Sequence, residues 1–455
     1  MLFVKILIAG DGKVGAALTR QLSAEGYDLV LIDSKQQVLE ISQEEYDVMT
    51  VRGNCASMDV LLQAGVRDAD LLIAATGADE VNLLCCLTAH GLNPDLHTIA
   101  RIRNPEYEEQ IYMMRDAFAL SLTVNPEKQT AAEIERLLRY PGFLKRDTFA
   151  KGRVEIVELE VDGKSKLCNT SLNDLNAIIR CKVLVCTVLR NGKAVAPDGN
   201  FVLREGDRIY VTAPANNLAM LLSGLGIITH KVSRVLLAGG GKVSFYLAQI
   251  LQKSGVAVQL IEQDKDRCLL LAGLLPKTCI VHGDASSFTF LESEGFSGFD
   301  ALVTLTGLDE LNMVISLYGK SCGIPQRITK LGRMDNLGTL DNLSLGSVVC
   351  PKELCCNSIV RYVRALQNQA GAAISVHSIA NGQAEAMEFL VDKTTLHCGI
   401  PLKKINVRRN VLIACISHSN KTEIPNGESS FSVGDTLIIV TSGDAVIYQI
   451  NDIFQ

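Results

Sequence analysis

Residues 5–22 read KILIAGDGKVGAALTRQL, and residues 234–251 read RVLLAGGGKVSFYLAQIL. The two stretches align without a gap, Gly10 on Gly239, at an offset of 229 residues. Each is a short apolar run that opens into a glycine-rich turn and then a helical pattern. In such a turn the first glycine, Gly10, permits the tight reversal. The second, Gly12, lets backbone approach a pyrophosphate with no Cβ in the way, and the third, Gly15, lets helix and strand pack closely. The helix start then offers unpaired N–H groups and a positive dipole end to an anion.

Working outward, the duplication continues. DLVLID ends in Asp33, 18 residues after Gly15, and Glu262 stands at the same place in the second copy. VRGNCAS (51–57) matches VHGDASS (281–287), and DADLLIAATGADEVN (68–82) matches GFDALVTLTGLDELN (298–312). TVNPEKQTAAEIERLLRYPG (123–142) matches VVCPKELCCNSIVRYVRALQ (348–367), with Pro126 opposite Pro351. Both halves close on hairpin grammar, with Pro197-Asp198-Gly199 opposite Pro425-Asn426-Gly427 and a Gly-Asp turn before a final β-branched strand. Apolar runs of four to seven residues alternate with helical patterns in each larger unit, which argues a parallel sheet covered on both faces.

The fold class is therefore α/β: two doubly wound, parallel-sheet Rossmann N-lobes, each followed by a small α+β C-lobe, in tandem duplication. The expected domains are 1–125 and 145–229 in the first half, and 232–352 and 371–455 in the second. A chain of 455 residues is long enough for several domains, and 47% apolar with 21% charged residues excludes extended disorder. Net charge is −6, and the absence of a dense Lys/Arg run argues against a nucleic-acid groove. The fourteen cysteines lack CxxC spacing and read as reduced, buried thiols. The stretch MLFVKILIAG is expected to run straight into a strand and not to act as a signal peptide, and no apolar run reaches the roughly 20 residues of a membrane span.

The residues singled out for ligand binding follow the sheet's carboxyl edge. Gly10, Asp11, Gly12, Lys13, Val14 and Gly15 form the phosphate turn. Asp33 would accept from both ribose hydroxyls and repel a 2′-phosphate, favouring NAD over NADP. Asn54 after the third strand, and Thr76-Gly77 after the fourth, read equally as ligand contacts or plain turns. Arg101 after the fifth reads equally as a phosphate ligand or a surface charge. In the second copy the set is Gly239, Gly241, Lys242, Val243, Glu262, Asp284, Thr306 and Lys330. There Ser244 replaces the third glycine, which is expected to widen the contact between helix and strand and to weaken the site.

The two-copy pattern, the GxGxxG start, TGxDExN at 76–82 and 306–312, and IARIRNPEY at 99–107 together resemble the TrkA family of Trk potassium-uptake regulators, over nearly the whole chain. The resemblance implies tandem RCK domains in a cytoplasmic, homo-oligomeric ring, a tetramer. That ring would bind NAD+ or NADH, or ATP and ADP, and gate an integral-membrane potassium channel from the inner face of the plasma membrane, without inserting itself. It also assigns a ligand contact to Cys55. Asn54 stands where many such domains have aspartate.

The helices after Pro126 and Pro351 are expected to swap across a pseudo-two-fold and couple the N-lobes. The rival class is an NAD-dependent oxidoreductase. Against it, the lobe after each N-lobe is only about 80 residues, and the histidines never pair between copies. No catalytic residue and no metal ligand set is assigned. A nucleotide-sensing scaffold without a channel partner is the third reading.

Overall fold

The computed structural model describes residues 4–139, 143–163, 165–175, 178, 182–214, 217, 220–221, 232–332, 343, 345–367, 373–380, 383–418, 421–442, 447 and 449–455. By internal contacts the chain divides into two units. One comprises Met1–Ala131 with Cys350–Val363, and the other Ala132–Val349 with Arg364–Gln455.

The first unit is built on six strands: β1 (Lys5–Ala9), β2 (Asp28–Asp33), β3 (Met49–Arg52), β4 (Leu71–Ala74), β5 (His97–Arg101) and β6 (Leu122–Val124). They lie in the order β3-β2-β1-β4-β5-β6, all parallel. Reversal of the order at β1 marks a doubly wound sheet, and the crevice at that switch point is where ligands bind in such folds. Ile6 to Ala9 and all of β4 are wholly buried, which explains runs that are apolar throughout.

Helices α1 (Lys13–Ala24), α2 (Gln36–Glu45), α3 (Met58–Gln63), α4 (Asp79–Leu92) and α5 (Glu108–Met114) connect the strands. On α1, Val14, Gly15, Leu18, Thr19 and Leu22 are buried, the three-and-four spacing of one helix face. Helix α6 (Pro126–Arg139) begins with proline at its first position, and Asn125 accepts from the Lys128 amide at 2.9 Å. The helix Pro351–Gln367, which belongs to the second repeat, also seats its first turns in this unit. There the Cys356 thiol donates to the Val14 carbonyl at 3.8 Å, Gln129 donates to Ser358 at 3.1 Å, and Tyr362 bonds His97 at 3.2 Å.

The second unit contains three sheets. Strands β7 (Lys145–Phe149), β8 (Val154–Glu160), β9 (Leu184–Arg190), β10 (Lys193–Val195) and β11 (Arg208–Pro214) form an antiparallel sheet in the order β10-β9-β11-β8-β7. Strands β12 (Arg234–Ala238), β13 (Ala257–Glu262), β14 (Cys279–His282), β15 (Ala301–Thr304), β16 (Gln326–Lys330) and β17 (Ser347–Val349) repeat the parallel order of the first unit. Strands β18 (Ala373–Ile379), β19 (Ala384–Leu390), β20 (Val411–Ser417), β21 (Thr422–Glu423) and β22 (Thr436–Ser442) repeat the antiparallel sheet strand for strand. The last turns of α6 serve this unit: Gln326 donates to the Leu137 carbonyl at 2.6 Å. The helix of each repeat thus contributes to the Rossmann fold of the other.

The two antiparallel lobes share one core, in which Phe149, Tyr210 and Ile156 meet Ile379, Ala414 and Ile438. His377 of the second lobe lies 3.0 Å from Asp147 of the first, edge-on to Phe149. Burial pushes the Asp147 carboxyl up, but Lys145 and His377 outweigh it and hold it down at about 2.

Candidate functional site

In the first unit β1 ends at Ala9 and α1 starts at Lys13, so the glycine turn sits at the carboxyl edge of the sheet. Gly10 has φ +95°, and a Cβ on it would lie 2.8 Å from the Thr76 backbone. A Cβ on Gly15 would lie 2.0 Å from the Gly10 carbonyl. Internal packing accounts for both. It does not account for Gly12 or Gly77, whose missing Cβ atoms face open space with nothing within 4 Å. No described side chain caps the first turn of α1, and that turn holds no acid. The second copy repeats the pattern: Gly239 is tight against Leu305 and Thr306, whereas Gly241 and Gly307 are open.

Asp33 is fixed by backbone. The Asp11 amide donates to one of its carboxylate oxygens at 2.8 Å and the Lys35 amide to the other at 2.9 Å. Glu262 is held in the same way by the amides of Gly240 at 2.6 Å and Asp264 at 2.8 Å. Each oxygen keeps a second lone pair, the number that two ribose hydroxyls require.

Asp11 itself is 1% exposed and points at α2, where the Ser42 hydroxyl donates to it at 2.6 Å. Its other oxygen is buried without a partner, and burial, with a smaller push from Asp33, raises its pKa. In the second copy these positions are Gly240 and Leu271, and Arg267 donates to the Gly240 carbonyl at 2.9 Å. The first turn is therefore backed by a polar, acidic pair and the second by an apolar one with a guanidinium beside it.

The lip of the first cleft is tied by Asn82, which no reading of the sequence singled out. Its carbonyl accepts from the Thr76 amide at 2.8 Å and hydroxyl at 2.7 Å, and its amide donates to the Arg101 carbonyl at 2.8 Å. Asn312 ties Thr306 to Lys330 by the same three bonds, at 2.9, 2.8 and 3.0 Å. The signal was in view as the last letter of the recurring TGxDExN. Thr76 and Thr306 thus spend their hydroxyls internally, and the open member of each dipeptide is the glycine.

Arg101 is not the solvated surface charge offered as one alternative. Its guanidinium donates to the Thr76 carbonyl, its Nε is buried, and burial together with Arg103 lowers its pKa. Lys330 reaches the matching Thr306 carbonyl at 2.6 Å. Lys13 and Lys242 are exposed at the helix starts, with Val14 and Val243 buried behind them. Asn54 and Asp284 each close an Asx turn, accepting from Ala56 at 3.1 Å and Ser286 at 2.8 Å. Cys55 is 5% exposed, and a hydrogen bond between its free thiol and that of Cys85 lowers the pKa of Cys55 and raises that of Cys85; Ala285 replaces Cys55 in the second copy.

Ser244 corrects a simple expectation of steric loosening. It is wholly buried, and its hydroxyl donates to the Gly239 carbonyl, the atom that a side chain here would otherwise oppose. The extra oxygen is absorbed as a hydrogen bond. His282 bonds the Gln263 carbonyl at 3.1 Å; Arg333, the last residue of the segment RITKLGR that Lys330 belongs to, lies outside the described residues.

Two doubly wound lobes, each with a glycine turn and a backbone-held acid and each followed by an antiparallel lobe, define a tandem protein of the Rossmann class. The GsuK RCK domain has this fold, with a TM-score of 0.61 at 17% identity, covering 97% of this chain and 92% of that one. The TrkA-N domain family model matches residues 6–121 and 235–351, and the TrkA-C domain model matches 156–226. The chain belongs to the TrkA family.

The Trk system potassium uptake protein TrkA homolog of Archaeoglobus fulgidus is 31% identical over 453 residues, 99% of this chain and 100% of its own length. The Trk system potassium uptake protein TrkA of Haemophilus influenzae is 30% identical over 460 residues, 99% of each chain. These are names of transport proteins, not enzymes, in agreement with the non-catalytic expectation. Among the described residues no helix is long and apolar enough to cross a membrane.

Proposed function

We propose that this chain is the nucleotide-binding regulatory subunit of a Trk-type potassium uptake system. In this reading its Rossmann clefts bind NAD(H), or ATP and ADP, and the ligand sets the gate of an associated integral-membrane potassium channel from the cytoplasmic side. The observation that carries it is Gly12: a glycine that packing does not require, at a helix start with no acid or side-chain cap, beside the backbone-held Asp33. The GsuK channel, similar in fold, is known bound to NAD and to ADP.

A ligand shifts an equilibrium only by its differential affinity for two states. The Rossmann lip of the first cleft touches the elements that would report such a shift. Arg101 ends β5, and Glu127 on α6 and Cys355 on the second repeat's helix both lie within its electrostatic reach. Ring assembly as a homo-oligomer, a tetramer by family resemblance, belongs to the same reading.

The test is reconstitution with the co-purified membrane subunit in potassium-loaded liposomes. NADH changes the flux through wild type and leaves the Asp33→Ala assembly unmoved. A flux indifferent to every nucleotide, or no membrane subunit recovered, contradicts the proposal.

A further inference from the structure

The duplication supplies an internal control for surface residues, because two copies share one topology. A feature that only one copy carries is not demanded by the fold. The excursion between β19 and β20 in the second antiparallel lobe, residues 391–410, carries five cations, Lys393, Lys403, Lys404, Arg408 and Arg409, and one acid, Asp392. Opposite Lys403 and Lys404 the first lobe has Asn173 and Asp174, and its excursion, residues 161–183, offsets four cations, Lys164, Lys166, Arg180 and Lys182, with two acids, Asp162 and Asp174. All five cations are exposed, in a chain whose net charge is −6.

Two aliphatic side chains stand open among them, Leu396 at 52% and Ile400 at 38%, where the first lobe has Lys166 and Thr170. The platform beneath is fixed. The amides of Leu402, Lys403 and Arg408 donate to the carbonyls of Ser429, Gly427 and Ile453, each at 2.9 Å. Ile405 joins the core of Phe431 and Phe454 on the face of the sheet turned away from the first lobe. Among the described residues only Lys403 of these cations has a salt bridge, to Glu428, and that pair is widely exposed and correspondingly weak.

We propose that this rim of the second antiparallel lobe docks on an anionic lipid surface, its cations on headgroup phosphates and Leu396 and Ile400 in the interface. Clusters of four to eight Lys and Arg are attracted to the negative surface of a membrane, and aliphatic groups between them gain burial there. The stretch 393–409 contains no Phe, Tyr or Trp on which a nucleic-acid base could stack, which disfavours single-stranded RNA or DNA as the occupant. The proposal is independent of the nucleotide clefts.

The test is co-sedimentation of the full chain with vesicles of phosphatidylcholine alone, and with phosphatidylglycerol replacing a third of it. Binding requires phosphatidylglycerol and falls with added salt. The variant carrying Lys403→Asn, Lys404→Asp, Arg408→Ser and Arg409→Ser loses affinity by roughly a hundredfold or more, given the strength of each surface cation. A Leu396→Ser, Ile400→Ser variant weakens binding at fixed salt, and Lys166→Ser with Lys193→Ser in the first lobe does not. Equal binding to both vesicles, no binding, full retention by the fourfold variant, or tighter capture by polyuridine or polyglutamate overturns the proposal.

Discussion

The amide of Asp11 donates to the carboxylate of Asp33 at 2.8 Å, so the glycine turn and the acid at the end of the next strand are one rigid piece. The bond recurs between Gly240 and Glu262, although neither residue type is kept. What the duplication preserves is an amide and a carboxylate in register.

Replacing Gly12 and Gly15 by alanine separates ligand space from packing space. Gly12→Ala enters open space at φ −83°, so the melting temperature stays within a degree or two while NADH affinity falls at least tenfold. Gly15→Ala meets the Gly10 carbonyl and destabilises by about 1–3 kcal/mol, read in urea unfolding. Equal effects from the two substitutions would contradict the assignment.

Asn82→Ala removes three hydrogen bonds that tie the lip of the cleft to β5. The expected cost is about 1–3 kcal/mol, with faster amide exchange at Thr76 and Arg101 than elsewhere in the sheet. Asn312→Ala does the same to Thr306. Unchanged exchange at Thr76 would count against the pin.

Asp11 and Ser42 can be converted to the second copy's pair as Asp11→Gly with Ser42→Leu. The folded Asp11 titrates above 3.8, so its favourable contribution is present below pH 3.8 and is lost as pH rises through the folded value. The double variant is therefore more stable than wild type at pH 7 and loses that advantage towards pH 3. A melting-temperature profile parallel to wild type across this range would refute the assignment.

Asp147 behaves oppositely. Its folded pKa lies at about 2 against 3.8, so it contributes stability above pH 3.8 that disappears as pH falls through 2. Asp147→Asn should cost about 2 kcal/mol at pH 7, and a double-mutant cycle with His377→Gln should return coupling between the lobes. Additive losses would show that the pair does not join them.

Much of the fold was legible because it is local and written twice. Gly10, Gly12 and Gly15 announce a strand, turn and helix by spacing alone, and the offset between Gly10 and Gly239 carries that reading across the second half. What escaped is long range. Nothing near Cys356 says that it meets Val14, and nothing near His377 says that it meets Asp147, because those contacts depend on which faces of finished elements come together. Asn82 was visible as a repeated letter, but its role as a pin needed the distance between β4 and β5. Arg101 could be placed at a strand end, yet only the sheet geometry turns it onto the Thr76 carbonyl. The serine at 244 was read as bulk, and its hydroxyl changed the outcome.

The most direct measurement is calorimetric titration of wild type, Asp33→Ala and Glu262→Ala with NADH and with ADP. Saturable binding to wild type, weakened at least tenfold by Asp33→Ala with the fold intact, is the predicted result, since loss of charged hydrogen bonds is worth about 1.5–3 kcal/mol each. Wild-type heat that no nucleotide saturates, or an Asp33→Ala protein that binds NADH as tightly as wild type, would contradict it.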